Sequence, residues 1–286
     1  MAPIKRYPKN ISKKISAANN IHVQHATKEQ GVTVSQSIFP ASWSRQRKSA
    51  VSIGLSILAM LLFIWGLAIP LQYLPKPIGP AAELFAEGAK ATLQLTALAG
   101  PIGVVIGFLV ALAKLSQWRV LRWVAEFYIW VLRGTPLLVQ VLFAYNVLSQ
   151  LPIFMVAALA LSLNVGAYNA EAIRSGILAV HKGQIEAARS LGLGSLQTFW
   201  DVVLPQAARV ALPPLVNNIV SLLKDSSLAY TIGVVELLNV AQQVQTQSYQ
   251  PVPVFITLGA IYLLMTSIMT QISDALERQL DVERHS

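Results

Sequence analysis

The sequence contains no cysteine, which excludes disulfides and thiolate metal sites. Its four histidines, His22, His25, His181 and His285, lie in the tail, one loop and the C-terminus. None stands by a carboxylate cluster that would complete a metal site, and all four read as surface residues. Charge is scarce as well. Asp, Glu, Lys and Arg make up 12% of 286 residues, about half the share of a soluble domain. Nor does GxxxxGK followed by Ser or Thr occur anywhere, so the chain cannot cradle nucleotide phosphates in a P-loop.

What fills the sequence instead is apolar, 54% of it hydrophobic. Val51 to Pro70 has no charge over about the length that crosses a bilayer. Ile153 to Tyr168 and Val252 to Ile272 are similar. Helices satisfy their own backbone hydrogen bonds in lipid, so the expected fold is an all-α polytopic membrane protein. Six spans are expected, at about 50–70, 88–113, 124–148, 153–178, 209–238 and 252–273. Residues 1–50 hold nine Lys and Arg against the single acid Glu29. The first 48 residues lack helical periodicity and read as a disordered basic tail. No folded module surrounds these basic residues, so no nucleic acid partner is expected. Nor does the stretch read as a signal peptide, for no small-residue cleavage site follows the apolar run.

Lys and Arg also fall in alternate connections: Lys114, Arg119 and Arg122, then Lys182 and Arg189, then Arg278 and Arg284. The turn near 149–152 and the loop 241–251 have no charge. This asymmetry predicts both termini in the cytoplasm. Within the spans, Gly103 and Gly107 form GxxxG, a spacing that lets helix backbones approach closely. Pro136 in RGTP removes a backbone donor and predicts a kink in the third span.

Polar residues inside spans are costly and mark a pathway or a partner. Asn164, Tyr168 and Glu171 share one helical stripe of the fourth span, with Arg174 three residues beyond Glu171. Asn217, Asn218, Ser221 and Lys224 form a second stripe on the fifth. Both are candidate substrate-binding surfaces. The alternatives are an internal Glu171–Arg174 pair in the first and helix–helix hydrogen bonding in the second. Arg133 reads as a structural residue of the RGTP break.

Between the fourth and fifth spans lies EAARSLGLGSLQTFWDVVLP, Glu186 to Pro205. Glu186, Ala187 and Ala188 open a short helix that Gly192 would end in a left-handed conformation. Ser195 would cap a second helix, Leu196 to Leu204, ended by Pro205. An interfacial helix with Phe199 and Trp200 at the headgroups is the plainer account. It explains the aromatics but neither the Glu-Ala-Ala start nor the glycine.

The spacing Glu186-Ala187-Ala188, Gly192, Val202, Leu204-Pro205 resembles the EAA loop of the membrane subunits of ATP-binding-cassette (ABC) importers, with Val202 in place of the usual Ile. RGTPLLVQ from Arg133, GAYNAEAIRSG from Gly166, KGQIEAARSLG from Lys182 and LLKDSSL from Leu222 together resemble the polar amino acid permease branch, the permeases of histidine, glutamine and arginine. The resemblance implies the type I importer transmembrane fold, with a five-helix core over 85–280 and a coupling loop over 182–205. The tail 1–48 and an extra helix with its external loop over 49–84 are additions. It also implies a transport subunit of a bacterial inner membrane, not itself an enzyme and without a cofactor of its own. Its partners would be ATPase subunits that bind ATP and Mg, a second permease subunit, an external amino acid-binding protein and the bilayer. Glu186, Ala187, Ala188, Gly192, Leu204 and Pro205 would form the contact with the ATPase. An ion-coupled secondary transporter is the competing function, but it leaves the 186–205 loop without a task.

Overall fold

The computed structural model describes residues 45–282, so the tail expected over 1–48 lies outside the described residues as far as residue 44. His22, His25 and His285 lie outside them too. The described residues form helices, turns and loops, with no strand among them. In chain order the helices are α1 (Arg45–Gly66), α2 (Ala68–Gln72), α3 (Ala82–Leu115), α4 (Arg119–Gly134), α5 (Leu137–Val147) and α6 (Ile153–Leu178). There follow α7 (Lys182–Ser190), α8 (Leu204–Asp225), α9 (Leu237–Ser248) and α10 (Pro251–Val282).

Among the described residues, four stretches are long and apolar enough to cross a membrane: Ala50–Gln72, Gly79–Leu115, Ile153–Leu178 and Pro251–Leu276. A fifth is available if α4 and α5, bent by 111° at their junction, count as one broken span. The segment expected as the fifth span, 209–238, does not run as one helix. α8 carries Pro213 and Pro214 in its interior and ends at Asp225. A 3-10 stretch, Ser226–Ile232, then runs to Gly233, whose φ is 91°. Lys224 and Asp225 together with the two prolines make this segment too polar and too interrupted for a plain apolar span.

α6 is the central helix, largely buried, and packs chiefly against α3 and α8. The glycine spacing in α3 explains the first of these contacts. A Cβ on Gly107 would lie 2.6 Å from Asn169 Cβ and 3.0 Å from the Gly166 carbonyl oxygen. One on Gly103 would run into Val165 and stand 3.1 Å from the Ser162 oxygen. Gly166 answers from α6: its Cβ would be 2.9 Å from Ile106 Cγ2 and 3.0 Å from Tyr128 Oη. The two backbones therefore touch where GxxxG predicts a close approach. α8 meets the other side of α6, where a Cβ on Gly176 would lie 2.6 Å from the Ala207 carbonyl oxygen.

A second cluster joins α2, α3, α9 and α10 through Leu71, Phe85, Leu237, Val240, Ile261 and Met265. Glu236 is fully buried inside it. Its carboxylate caps α9, accepting from Leu238 N at 2.9 Å and Asn239 N at 2.8 Å. It also accepts from Tyr262 Oη at 3.2 Å and Thr92 Oγ1 at 3.3 Å. A carboxylate at a helix N-terminus meets free N–H groups and the positive end of the helix dipole. Glu236 thus ties α9 to α3 and α10.

Filling the crossing should be costly. Gly107→Val is expected to destabilise by about 1–3 kcal/mol or more through overpacking, seen as a lower melting temperature and less monodisperse protein in detergent. Gly259→Val is the control, because nothing lies within 4 Å of a Cβ at Gly259. Equal behaviour of the two variants would show that the crossing is loose.

Candidate functional site

The RGTP break opens the site. Pro136 cannot continue the hydrogen bonding of α4, and the chain turns into α5 with Pro136 extended at ψ 134°. The break frees carbonyl groups at the end of α4, and side chains meet them. Thr135 Oγ1 donates to the Val131 oxygen at 2.8 Å. Gln140 Nε2 donates to the Leu132 oxygen at 2.8 Å and the Thr135 oxygen at 3.1 Å. Asn164 Nδ2, from α6, donates to Gln140 Oε1 at 2.9 Å and reaches the Leu132 oxygen at 3.3 Å. Tyr128 adds a 2.6 Å hydrogen bond from its hydroxyl to the Leu163 oxygen. Asn164, buried and so engaged, braces the break.

Below Asn164 on the same stripe, Tyr168 is exposed and the Arg133 guanidinium lies over its ring, 5.1 Å from the centroid. Glu171 follows one turn on. One of its oxygens accepts from Lys114 Nζ on α3, and the other accepts from Arg174 Nε at 2.9 Å. The expected Glu171–Arg174 pair is present, and Lys114 joins it. α6 and α8 meet where Asn218 Nδ2 donates to the buried Asn169 Oδ1 at 2.9 Å, outside the stripe of Asn164, Tyr168 and Glu171. Asn217, Ser221 and Lys224 all lie exposed along α8.

The loop beyond α6 is built locally. His181 Nδ1 accepts from Gly183 N at 3.1 Å and caps α7, which starts four residues before Glu186. Gly192 ends α7 with φ 84°. Leu193 N donates to the Ala188 oxygen at 3.2 Å and Gly192 N to the Arg189 oxygen at 3.0 Å, the paired bonds of a Schellman cap. The expected left-handed glycine is therefore present. The second helix differs from expectation. Gly194, not Ser195, is its N-cap, and Pro205 does not end it. The turn Ser195–Gln197 passes through a π-helical segment, Thr198–Val203, into α8 at Leu204. Pro205 falls in the first turn of α8, where a missing N–H is tolerated, and the wide turn before it leaves room for the ring.

Ala188 is buried, and Ile185 packs with Val180, Val203, Ala207 and Phe199 under the loop. Other residues of the loop are bare: Glu186 and Ala187 are exposed. So are Leu191 (82%), Leu196 (72%) and Trp200 (53%).

Three residues of the site and its frame escape a reading of spacing alone. Lys114 lies 57 positions from Glu171, and only the α3–α6 register joins them. Gln140 belongs to RGTPLLVQ, but its role depends on where the break turns. Glu236 precedes an amphipathic stretch, a helix-start signal that the expected 209–238 span obscures.

The chain was compared with known proteins. The family model for the binding-protein-dependent transport system inner membrane component matches residues 103–282. The L-cystine transport system permease protein TcyB of Bacillus subtilis (strain 168) is 40% identical over 223 residues, 76% of this chain and 93% of that protein. The arginine transport system permease protein ArtQ of the same organism is 37% identical over 206 residues, covering 70% and 94%. Among solved structures, an amino acid ABC transporter crystallised with histidines superposes with a TM-score of 0.66 at 41% identity, over 70% of this chain and 95% of that one. An inward-facing MetNI methionine ABC transporter gives 0.59 at 19% identity, over 70% and 98%, a likeness of fold.

The charge cluster generates a test. Glu171→Gln leaves Lys114 and Arg174 facing each other without an anion, so it should lower the melting temperature more than Lys114→Gln or Arg174→Gln does. Adding Lys114→Gln to Glu171→Gln should recover part of the loss, since the residues share one network. Strictly additive losses across these four variants would refute the cluster as drawn.

Proposed function

The chain belongs to the family of binding-protein-dependent transport system inner membrane components, and we propose that it lines the amino acid pathway of an ATP-driven importer, coupled through its 182–205 loop to a separate ATPase. The observation that carries this reading is the set of bare residues on that loop. Leu191, Leu196 and Trp200 stand exposed around a left-handed glycine cap, while no P-loop occurs in the sequence. Large apolar side chains left exposed within one short loop mark a protein contact. The partner here is an ATPase that binds ATP and Mg, with Glu186, Ala187, Ala188 and Gly192 shaping the contact. Leu204 and Pro205 carry it into α8.

Relatives whose names specify cystine and arginine support the substrate class; on this reading the chain passes a polar amino acid. Tyr168 and the exposed row Asn217, Ser221 and Lys224 face the pathway. Asn164 and Glu171, engaged by Gln140 and by Lys114 and Arg174, hold its walls. A second permease subunit completes the channel, and an external amino acid-binding protein delivers to it. The five-helix core spans 85–280, and α1 is an addition to it. Both termini lie on the cytoplasmic side of the bacterial inner membrane, as the Lys and Arg asymmetry implies.

Gly192 provides the test. Nothing lies within 4 Å of a Cβ there, so a substitution acts through backbone conformation alone. A β-branched residue at φ 84° costs about 1 kcal/mol or more. Gly192→Val should insert normally, yet retain less of the ATPase on co-purification and support less ATP-driven uptake. Gly192→Asn, which tolerates this conformation better, should fall between Val and the parent. Undiminished ATPase retention and uptake in Gly192→Val would refute the coupling role.

A further inference from the structure

Arg133 stands beside the middle of α6, a helix long and apolar enough to cross a membrane, in no ion pair among the described residues. Tyr168, whose ring it covers, is the sixteenth residue of the 26-residue α6, with about 22 Å of helix on one side and about 15 Å on the other. The ion pairs among the described residues are Lys90–Glu87, Lys114–Glu171 and Arg174–Glu171, and Arg133 is in none of them. Glu171, one turn along α6, already has both oxygens occupied by other cations. An unpaired guanidinium beside the middle of a candidate span is costly, and such residues lie on substrate pathways or beside partners. Stacking on Tyr168 holds it there rather than letting it snorkel to the surface.

The geometry also leaves the working edge open. A ring covers one face of the guanidinium, while its N–H donors project in the plane, where a carboxylate can accept two of them side by side. Residues 133–136 are all exposed, so the break presents this edge to the space beside α6.

We propose that Arg133, braced by Tyr168, binds the carboxylate of the transported amino acid. The inference rests on the amino acid pathway proposed above and assigns Arg133 a role that its place in the break does not require. The carboxylate is common to all amino acids, so this contact selects the class, and the row on α8 is left to select the side chain.

The test uses the full chain purified with its ATPase in lipid nanodiscs, without the external binding protein. It is titrated calorimetrically with L-arginine, L-glutamine and L-cystine, and with the α-amide of each. The parent complex should bind at least one acid about tenfold or more tighter than its amide, the scale of a charge-assisted bidentate contact. Arg133→Gln should bind that acid as weakly as the amide. Arg133→Lys should keep part of the preference, and Tyr168→Phe, which keeps the ring, most of it. An amide bound as tightly as its acid by the parent overturns the proposal, even if Arg133→Gln does not fold. That result is also the one expected if a carboxylate of a second subunit occupies Arg133. Arg133→Gln binding the acid as tightly as the parent overturns it equally. If no acid binds the parent but ATP-driven uptake occurs, this proposal falls and the transport reading stands. If uptake is absent too, both fall.

Discussion

The crossing of α3 and α6 is the contact on which the rest of the site depends. Lipid tails are as apolar as leucine, so membrane helices associate through packing and hydrogen bonds rather than through escape from water. Gly103, Gly107 and Gly166 supply that packing by letting backbone meet backbone. The approach fixes rotation and register together. Lys114, two turns past Gly107, arrives opposite Glu171. Tyr128 fits against Gly166 and bonds the Leu163 oxygen. One contact surface thereby places α3, α4 and α6.

Polar groups in this fold are satisfied in two ways. At the α4–α5 break, freed carbonyls are met by neutral amides, Gln140 and Asn164. Glu236, a buried carboxylate, is met by two backbone N–H groups and two hydroxyls. Neither arrangement brings a cation into contact, so neither incurs the desolvation of a second charge. Glu171 is handled differently, with two cations around one anion and partial exposure. The cluster keeps an excess positive charge, and with Arg133 it makes this flank of α6 cationic. A neutral brace beside a cationic flank suits a pathway for a solute that carries a carboxylate.

Much of this was legible in the sequence, but only where one segment determines its own conformation. Gly192 was readable as a left-handed cap because its helix starts and stops within the same loop. The RGTP break followed from Pro136, and the close approach of α3 followed from its glycine spacing. Features that needed two segments were not legible. Lys114 reaches Glu171 through helix register, and the sequence offered Arg174 because it is three residues away. Pro205 looked like a helix end because a single α-helical register forbids proline inside. The π-helical turn before it lifts that restriction. The span expected over 209–238 failed for a related reason: length and hydropathy do not report that a helix stops at Asp225 and turns at Gly233.

The path from the loop to the site is short and stiff. Ala188 is buried and Ile185 packs beneath the loop with Val203 and Ala207, and Ala207 is the residue whose carbonyl closes on Gly176. Close-packed contacts resist compression, so a displacement of α7 cannot be absorbed there and must pass into α6 and α8. Tyr168 lies eight residues from Gly176 along unbroken helix, about 12 Å. Arg133 is held to that residue, and the α4–α5 break lies beside it. A load on the loop thus reaches the α4–α5 break, bent by 111°. The break is a bend in the path from the loop, so part of the displacement should be taken up beside Arg133 and Tyr168.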